Sequence, residues 1–196
     1  MDTNISNYNC DSYCGLYCGA CDVMHACKTG EKDRFAAFWT ESRLRSINEA
    51  QGITIEEDDL QLKCHGCKSD TVFINCRACE IKKCARSRSV EHCSECSEYP
   101  CKIFLGMKDG EKVLPHIKSK QGNLEAIKES GIDRWLIEQE DKWKCPECQT
   151  PFAWYSTHCS NCGRNLKKYT YRFSWLNAFF LDLDFRSVSK NQNRQE

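Results

Sequence analysis

Residues 64–101 read CHGCKSDTVFINCRACEIKKCARSRSVEHCSECSEYPC. Eight of these 38 positions are cysteine, and the main apolar contributors are Val72, Phe73, Ile74, Ile81 and Val90. Ordering a residue costs about 1–2 kcal/mol of backbone entropy. So few apolar side chains cannot offset that cost across the block. A structural metal site supplies on the order of 10–16 kcal/mol in small zinc peptides. Coordination is therefore the expected glue of this stretch. The stretch also echoes itself: Cys76, Cys79 and Cys84 have the same spacing as Cys93, Cys96 and Cys101, displaced by 17 residues. One repeat pair is too little for a solenoid, but it predicts two similar ligand loops.

Upstream lies a second run, CDSYCGLYCGAC at residues 10–21, followed by Cys27. The 196-residue chain holds 17 cysteines in all. The first residues show neither the basic start nor the apolar core of a secretory signal, and no apolar run is long enough to cross a bilayer. A cytoplasmic location is expected, where disulfides are rare. An odd cysteine count also fits a fully paired framework badly. Clustered Cys-x-x-Cys pairs then read as metal ligands.

Downstream, residues 31–50 are predicted to be helical, with Phe35, Phe38, Trp39 and Ile47 on one face as core and Gly52 as a stop. Residues 102–142 hold no cysteine. Leu124 and Ile127 mark one helix there, and Gly131 and Asp133 separate it from a second carrying Trp135 and Leu136. Then Cys145-x2-Cys148 and Cys159-x2-Cys162 stand ten residues apart, with Phe152, Trp154 and Tyr155 between them. Each pair predicts a knuckle, and together they predict a tetrahedral four-thiolate site of the closed, structural kind that zinc favours. In the tail, Tyr169, Tyr171, Phe173 and Trp175 alternate as in a strand. Leu176, Phe179, Phe180 and Leu183 follow at helical spacing. That apolar face is expected to dock on the protein itself or to meet a second copy or another partner through residues 169–185. Residues 187–196 are expected to be disordered.

The order YCGLYCGAC, LKCHGCKS, CRACEIKKCA, VEHCSECSEYPCKIF resembles a cysteine-rich microbial family of unknown function. Some of its members are similar to this chain in also carrying a C-terminal zinc ribbon. The resemblance covers residues 10–105 and, more loosely, 123–165. It carries over as candidate ligands Cys14, Cys18, Cys21, Cys64, Cys67, Cys76, Cys79, Cys84, Cys93, Cys96 and Cys101, and it implies no reaction.

Eleven ligands do not divide into fours, and a twelfth could come from Cys10, Cys27, His25, His65 or His92. One partition joins Cys64/Cys67 with Cys76/Cys79, and Cys84 with Cys93/Cys96/Cys101; an interleaved partition fits the spacing equally. The metal reading is about three to four zinc ions, with an iron–sulfur cluster in the N-terminal block as the alternative.

The expected architecture is a small metal-stabilised α+β protein. It divides into an irregular cysteine-rich domain (1–105), a helical spacer (106–142), a zinc ribbon (143–168) and an aromatic strand, helix and tail (169–196). The expected function is a non-catalytic interaction module, since no catalytic constellation stands out. Alternatives are an iron–sulfur electron-transfer protein, or a nucleic-acid contact through Arg77, Lys82, Lys83, Arg86 and Arg88. The formal charge balance, 28 basic against 28 acidic residues, argues against nucleic acid.

Overall fold

A computed structural model describes residues 8–50 and 52–192. Its helices are α1 (Asp22–Thr29), α2 (Arg34–Phe38), α3 (Glu41–Ala50), α4 (Ile74–Arg77), α5 (Glu80–Ser87), α6 (Lys102–Gly106), α7 (Lys120–Ser130), α8 (Ile132–Lys142) and α9 (Trp175–Gln192). Short 3-10 turns at Cys18–Ala20, Glu57–Leu60, Cys93–Glu95, Met107–Lys112 and Pro115–Ser119 link them.

The expected α+β architecture with a zinc ribbon is corrected. The chain is about 52% helical, and no sheet forms among the described residues. Two isolated antiparallel bridges, Lys144 with Pro151 and His158 with Asn165, are the β pairing among the described residues. The reason lies in where the backbone of residues 151–171 finds its partners. Phe152 N–H donates to Trp143 O (3.0 Å), Trp154 N–H to Ala20 O (2.8 Å), Leu166 N–H to Thr157 O (2.9 Å) and Tyr171 N–H to Trp154 O (2.8 Å). Successive residues pair with different segments, so their polar groups are satisfied without two strands running side by side. The alternation at Tyr169–Trp175 likewise yields no strand: Tyr169 lies in a turn, 171–174 are irregular and Trp175 opens α9, with Phe173 buried and Tyr169 and Trp175 exposed.

The predicted helix over 31–50 is two helices. Asp33 caps α2 by accepting from Phe35 N–H (3.0 Å) and Ala36 N–H (2.9 Å). The chain breaks at Trp39 and Thr40 before α3 begins. The break lets Phe35, Phe38 and Trp39 converge. Phe35 meets Trp39, Tyr155 and Phe173 with ring centroids 5.8, 5.0 and 5.0 Å apart. Trp39 in turn meets Phe73 at 5.4 Å. One continuous apolar core thus takes in Tyr17, Val23, Phe35, Phe38, Trp39, Cys64, Phe73, Trp135, Trp143, Cys145, Phe152, Trp154, Tyr155, Cys159, Leu166 and Phe173. Both cysteine-rich regions sit against it. A smaller cluster of Tyr13, Cys14, Ile81, Ala85, Phe104 and Leu124 underlies residues 79–105.

Ser174 and Asn177 close the start of α9: Ser174 N–H and Oγ–H donate to Asn177 Oδ1 at 2.8 and 2.6 Å. The helix then docks on α3 through Leu181 and the Arg43–Asp182 pair (3.3 Å). The face formed by Leu176, Phe179, Phe180 and Leu183 points to solvent with Trp175, the reverse of docking it on the chain. Of the stretch 187–196, expected to be disordered, residues 187–192 continue α9, and the remainder lies outside the described residues. Among the described residues no helix is long and apolar enough to cross a membrane.

Candidate metal centre

Two turns with the same backbone hydrogen-bond pattern build the C-terminal site. In the first, Cys145 N–H donates to Thr150 O (2.9 Å) and Gln149 N–H to Cys145 O (2.8 Å). In the second, Cys159 N–H donates to Arg164 O (2.8 Å) and Gly163 N–H to Cys159 O (3.0 Å). The residue after each second cysteine is left-handed: Gln149 at φ 60° and Gly163 at φ 72°. This reversal turns both sulfurs of a pair to the same side. An ion pair between Arg164 and Glu147 ties one turn to the other.

The two pairs face each other. The sulfurs of Cys145, Cys148, Cys159 and Cys162 all lie within 4.8 Å of one another. Cys145 and Cys162 are 3.7 Å apart, and Cys148 and Cys159 are 3.5 Å apart. Four sulfurs at a zinc–sulfur distance of about 2.3 Å in a tetrahedron would stand about 3.8 Å apart. The group could therefore hold a metal ion. Cys145 and Cys159 are buried in the core, Cys148 is half-buried and Cys162 is exposed. The hydroxyl of Thr150, 3.2 Å from Cys148 Sγ, and the Thr150 backbone N–H hold the Cys148 thiol down at about 6. For Cys162 the Arg164 backbone N–H works downward, but desolvation and the three neighbouring sulfurs outweigh it and push the thiol up to about 12. Four thiolates so close need a cation between them.

The N-terminal cysteines are arranged differently. Their segments are tied together by Asn9 N–H to His65 O (2.7 Å), Cys18 N–H to Cys10 O (2.7 Å) and Cys93 N–H to Tyr13 O (2.8 Å). Gly66 makes the first of these approaches possible. Its φ is +115°, and a Cβ there would stand 1.9 Å from Asn9 O. The two echo loops are built alike but not identically. Each opens on a tight Cys-x2-Cys turn, with Cys79 N–H to Cys76 O (3.4 Å) and Cys96 N–H to Cys93 O (3.1 Å). Cys79 then caps α5, whose interior holds Cys84, whereas in the second loop it is Cys101 that caps α6.

Burial comes first among the causes that raise the N-terminal thiols: Cys21, Cys67 and Cys93 are pushed up to about 12. Cys18 and Cys76 are raised well above the ordinary thiol range, and Cys14 is raised too. Cys76 is exposed as a residue, yet its sulfur is desolvated and faces Cys21 and Cys64. Neighbouring thiols add repulsion in every case. Even so, among the described residues the set of three or more ligand atoms within 4.8 Å is the C-terminal one. The eleven N-terminal ligand candidates are neighbours without that close convergence.

Both ring nitrogens of His92 are taken up by carboxylates, and among the described residues no histidine joins a group of ligand atoms within 4.8 Å. His92 is buried, with Nε2 2.9 Å from Asp11 and Nδ1 3.2 Å from Glu95. His65 rests on the ring of Tyr8 at 4.7 Å, and His25 Nε2 is 3.8 Å from Glu31. Cys27 Sγ lies 4.0 Å from Tyr8 Oη, and Cys10 packs on the core.

The charged cradle around His92 carried no sequence signal. Asp11, buried, is bonded by His92 and by Lys68 Nζ (2.6 Å), and Lys68 also pairs with Glu91 (3.0 Å). Burial works to raise the Asp11 carboxyl, but the His92 and Lys68 bonds win and hold it at about 2. The cradle fastens residue 11 to the loops carrying Cys67 and Cys93, which positions thiols that are far apart in sequence.

No curated protein and no solved structure matches the chain. Residues 10–105 match the model of a family described as Protein of unknown function (DUF3795). That span includes all eleven N-terminal ligand candidates, and it is this cysteine-rich domain that the family model covers.

Proposed function

We propose that the protein is a zinc-stabilised, non-catalytic interaction module in which Cys145, Cys148, Cys159 and Cys162 hold one zinc ion. The observation that carries this reading is the convergence of four sulfurs, with facing pairs 3.5 and 3.7 Å apart. Four thiolates fill zinc's tetrahedral coordination and leave no position for a substrate or water. The ion's work is then structural. It locks both turns, and with them Cys145 and Cys159, into the aromatic core. The interaction surface of the module is the outer face of α9, where Trp175, Leu176, Phe179, Phe180 and Leu183 are exposed together.

Elemental analysis of the full chain, purified without chelator, tests the metal. About one zinc per chain should disappear in Cys145→Ser, together with a large loss of stability, since structural zinc binding is worth on the order of 10 kcal/mol. Zinc retained in full by Cys145→Ser would overturn the reading. So would a visible absorption that this substitution alone removes, because zinc thiolate is colourless and a single iron on the same four sulfurs is not.

A further inference from the structure

We infer that the outer face of α9 is the two-fold contact of a homodimer, in which α9 of one copy lies antiparallel on α9 of a second. The inference rests on the reading of that face as the interaction surface and names its occupant.

The fold presents α9 as a fixed element. Its inner side is held by Leu181, which is buried, and by Asn177 Nδ2–H donating to Val113 O (3.0 Å). Arg43 on α3 grips the flank through Asp182 (3.3 Å). What remains outward is Leu176, Phe179, Phe180 and Leu183 at i, i+3, i+4 and i+7, with Trp175 one turn before Phe179. Trp175 is 71% exposed, and the other four lie between 44% and 53%. A helix already locked in place loses little freedom when this face is covered.

The size of the patch suits a second copy. With aromatic side chains burying about 150–250 Å² each, these five residues leave about 500 Å² of apolar surface open. A two-fold contact uses the patch twice and hides about 1,000 Å², the lower bound of a specific interface.

The shape of the patch is self-complementary, as an isologous contact requires. The stripe runs about 12 Å along the helix at 1.5 Å per residue, from the large Trp175 to the smaller Leu183, with Phe179 midway. Antiparallel pairing about an axis at Phe179 sets Trp175 of each copy against Leu183 of the other, large on small. It also brings the two Phe179 rings together. Within each copy Phe180 stands edge-on to Phe179 at 5.7 Å, so the centre closes as an aromatic cluster.

Charge selects the same arrangement. Lys32 and Arg34 are exposed and line one groove with Phe173 and Trp175. Neither side chain has a partner among the described residues, so the Trp175 end of the stripe is basic. At the other end Asp182, its side chain 28% exposed, stands beside Leu183. Antiparallel copies bring a basic end to an acidic end twice, whereas parallel copies would oppose like charges. Residues 175–183 contain no Lys or Arg, the residues an anionic membrane would need along the helix.

An interface of this size places dissociation in the range of about 1–100 μM. Sedimentation equilibrium of the full chain across that range should show a reversible dimer of twice the 22.7 kDa chain mass, a readout that needs no variant. Phe179→Asp puts two like charges on the axis. It should weaken the dimer at least about 30-fold, as loss of a central hot spot does, with helix content and zinc stoichiometry unchanged. Arg34→Glu should weaken it less, and more at low salt than at high. A chain that sediments as a monomer at about 100 μM would overturn the dimer. A dimer that Phe179→Asp leaves intact would overturn both this contact and the reading of the face as the interaction surface. A monomer that binds phosphatidylserine vesicles, and loses them in Phe179→Asp, would overturn the second copy while keeping the face. The zinc content read through Cys145→Ser moves with none of these outcomes.

Discussion

The two cysteine regions use the same residue and the same Cys-x2-Cys spacing to opposite geometric ends. Residues 145–162 close two matching turns on a common centre, so four sulfurs stand within 4.8 Å. Residues 10–101 spread eleven ligand candidates over two 3-10 turns, helices α4 and α5 and the loops between them, segments tied together by polar bonds such as Cys93 N–H to Tyr13 O. The difference shows that Cys-x2-Cys by itself does not fix a site. The backbone just past the second cysteine decides the outcome. A left-handed residue reverses the chain at 149 and 163 and returns both sulfurs to one point. A helix begins at Cys21 and at Cys79 instead, and carries the chain away.

The largest test of this contrast, after loss of the C-terminal cysteines themselves, asks whether the two regions are mechanically one body. Phe35 lies where they meet, its ring against Trp39, His116, Tyr155 and Phe173. Phe35→Ala should cost about 3–5 kcal/mol while leaving the metal content of correctly folded protein unchanged. Chemical denaturation followed by tryptophan fluorescence and by metal release should still show a single transition, moved to lower denaturant. Two transitions, with the N-terminal metal released independently, would break the picture of a shared core.

How much of this was legible in the sequence divides along the same line. The C-terminal four-cysteine group, which could hold a metal ion, was readable because both of its pairs are local, and the pairs match each other in length. Phe35, Phe38, Trp39 and Ile47 were readable as core from their spacing. The sheet was misread because alternating aromatics at 169–175 and the ten residues between the knuckles satisfy their backbone with scattered partners. Sequence periodicity cannot reveal that each partner comes from a different segment. The apparent shortage of apolar residues in 64–101 was real within the stretch. The block draws its cover from elsewhere, since Phe73 packs under Trp39 and Cys64 joins the same core. The partition of the eleven thiols was unreadable because it depends on contacts such as Asp11 with His92, 81 residues apart.

A smaller effect distinguishes the two regions by pH. His116 is buried next to the C-terminal segment, stacked on Trp154 at 4.1 Å and bonded through Nδ1 to Tyr155 Oη at 2.7 Å. Burial pushes its pKa down from the usual 6.5 to about 3. The unfolded chain takes up a proton as pH falls through about 6.5, whereas the folded chain does so only near 3. Stability is therefore full above that upper value and is lost as pH falls toward the lower one, by up to about 1.4 kcal/mol per pH unit. His116→Gln keeps a polar partner for Tyr155 and removes the titration. Between pH 7 and 5 the wild type should lose stability more steeply than this variant, with acid release of metal common to both. Parallel slopes would show that burial does not depress the imidazole in the native protein.

The finest test returns to the residue just past each knuckle. Gly163 adopts its left-handed φ of 72° at no steric cost, but Gln149 carries a side chain at φ 60°, where an L-residue is penalised by about 1–2 kcal/mol. Replacing Gln149 by glycine relieves that strain, while the greater freedom of glycine in the unfolded chain takes back about 0.5–1 kcal/mol. A net gain of roughly 0.5 kcal/mol should remain, with zinc bound at the same stoichiometry and released more slowly to a competing chelator. The mirror substitution, Gly163→Ala, should act in the opposite direction and speed release. If Gln149→Gly weakens zinc retention, the reversal at 149 is held by the side chain and not merely tolerated by it. The two turns would then be alike in shape but not in what keeps them there.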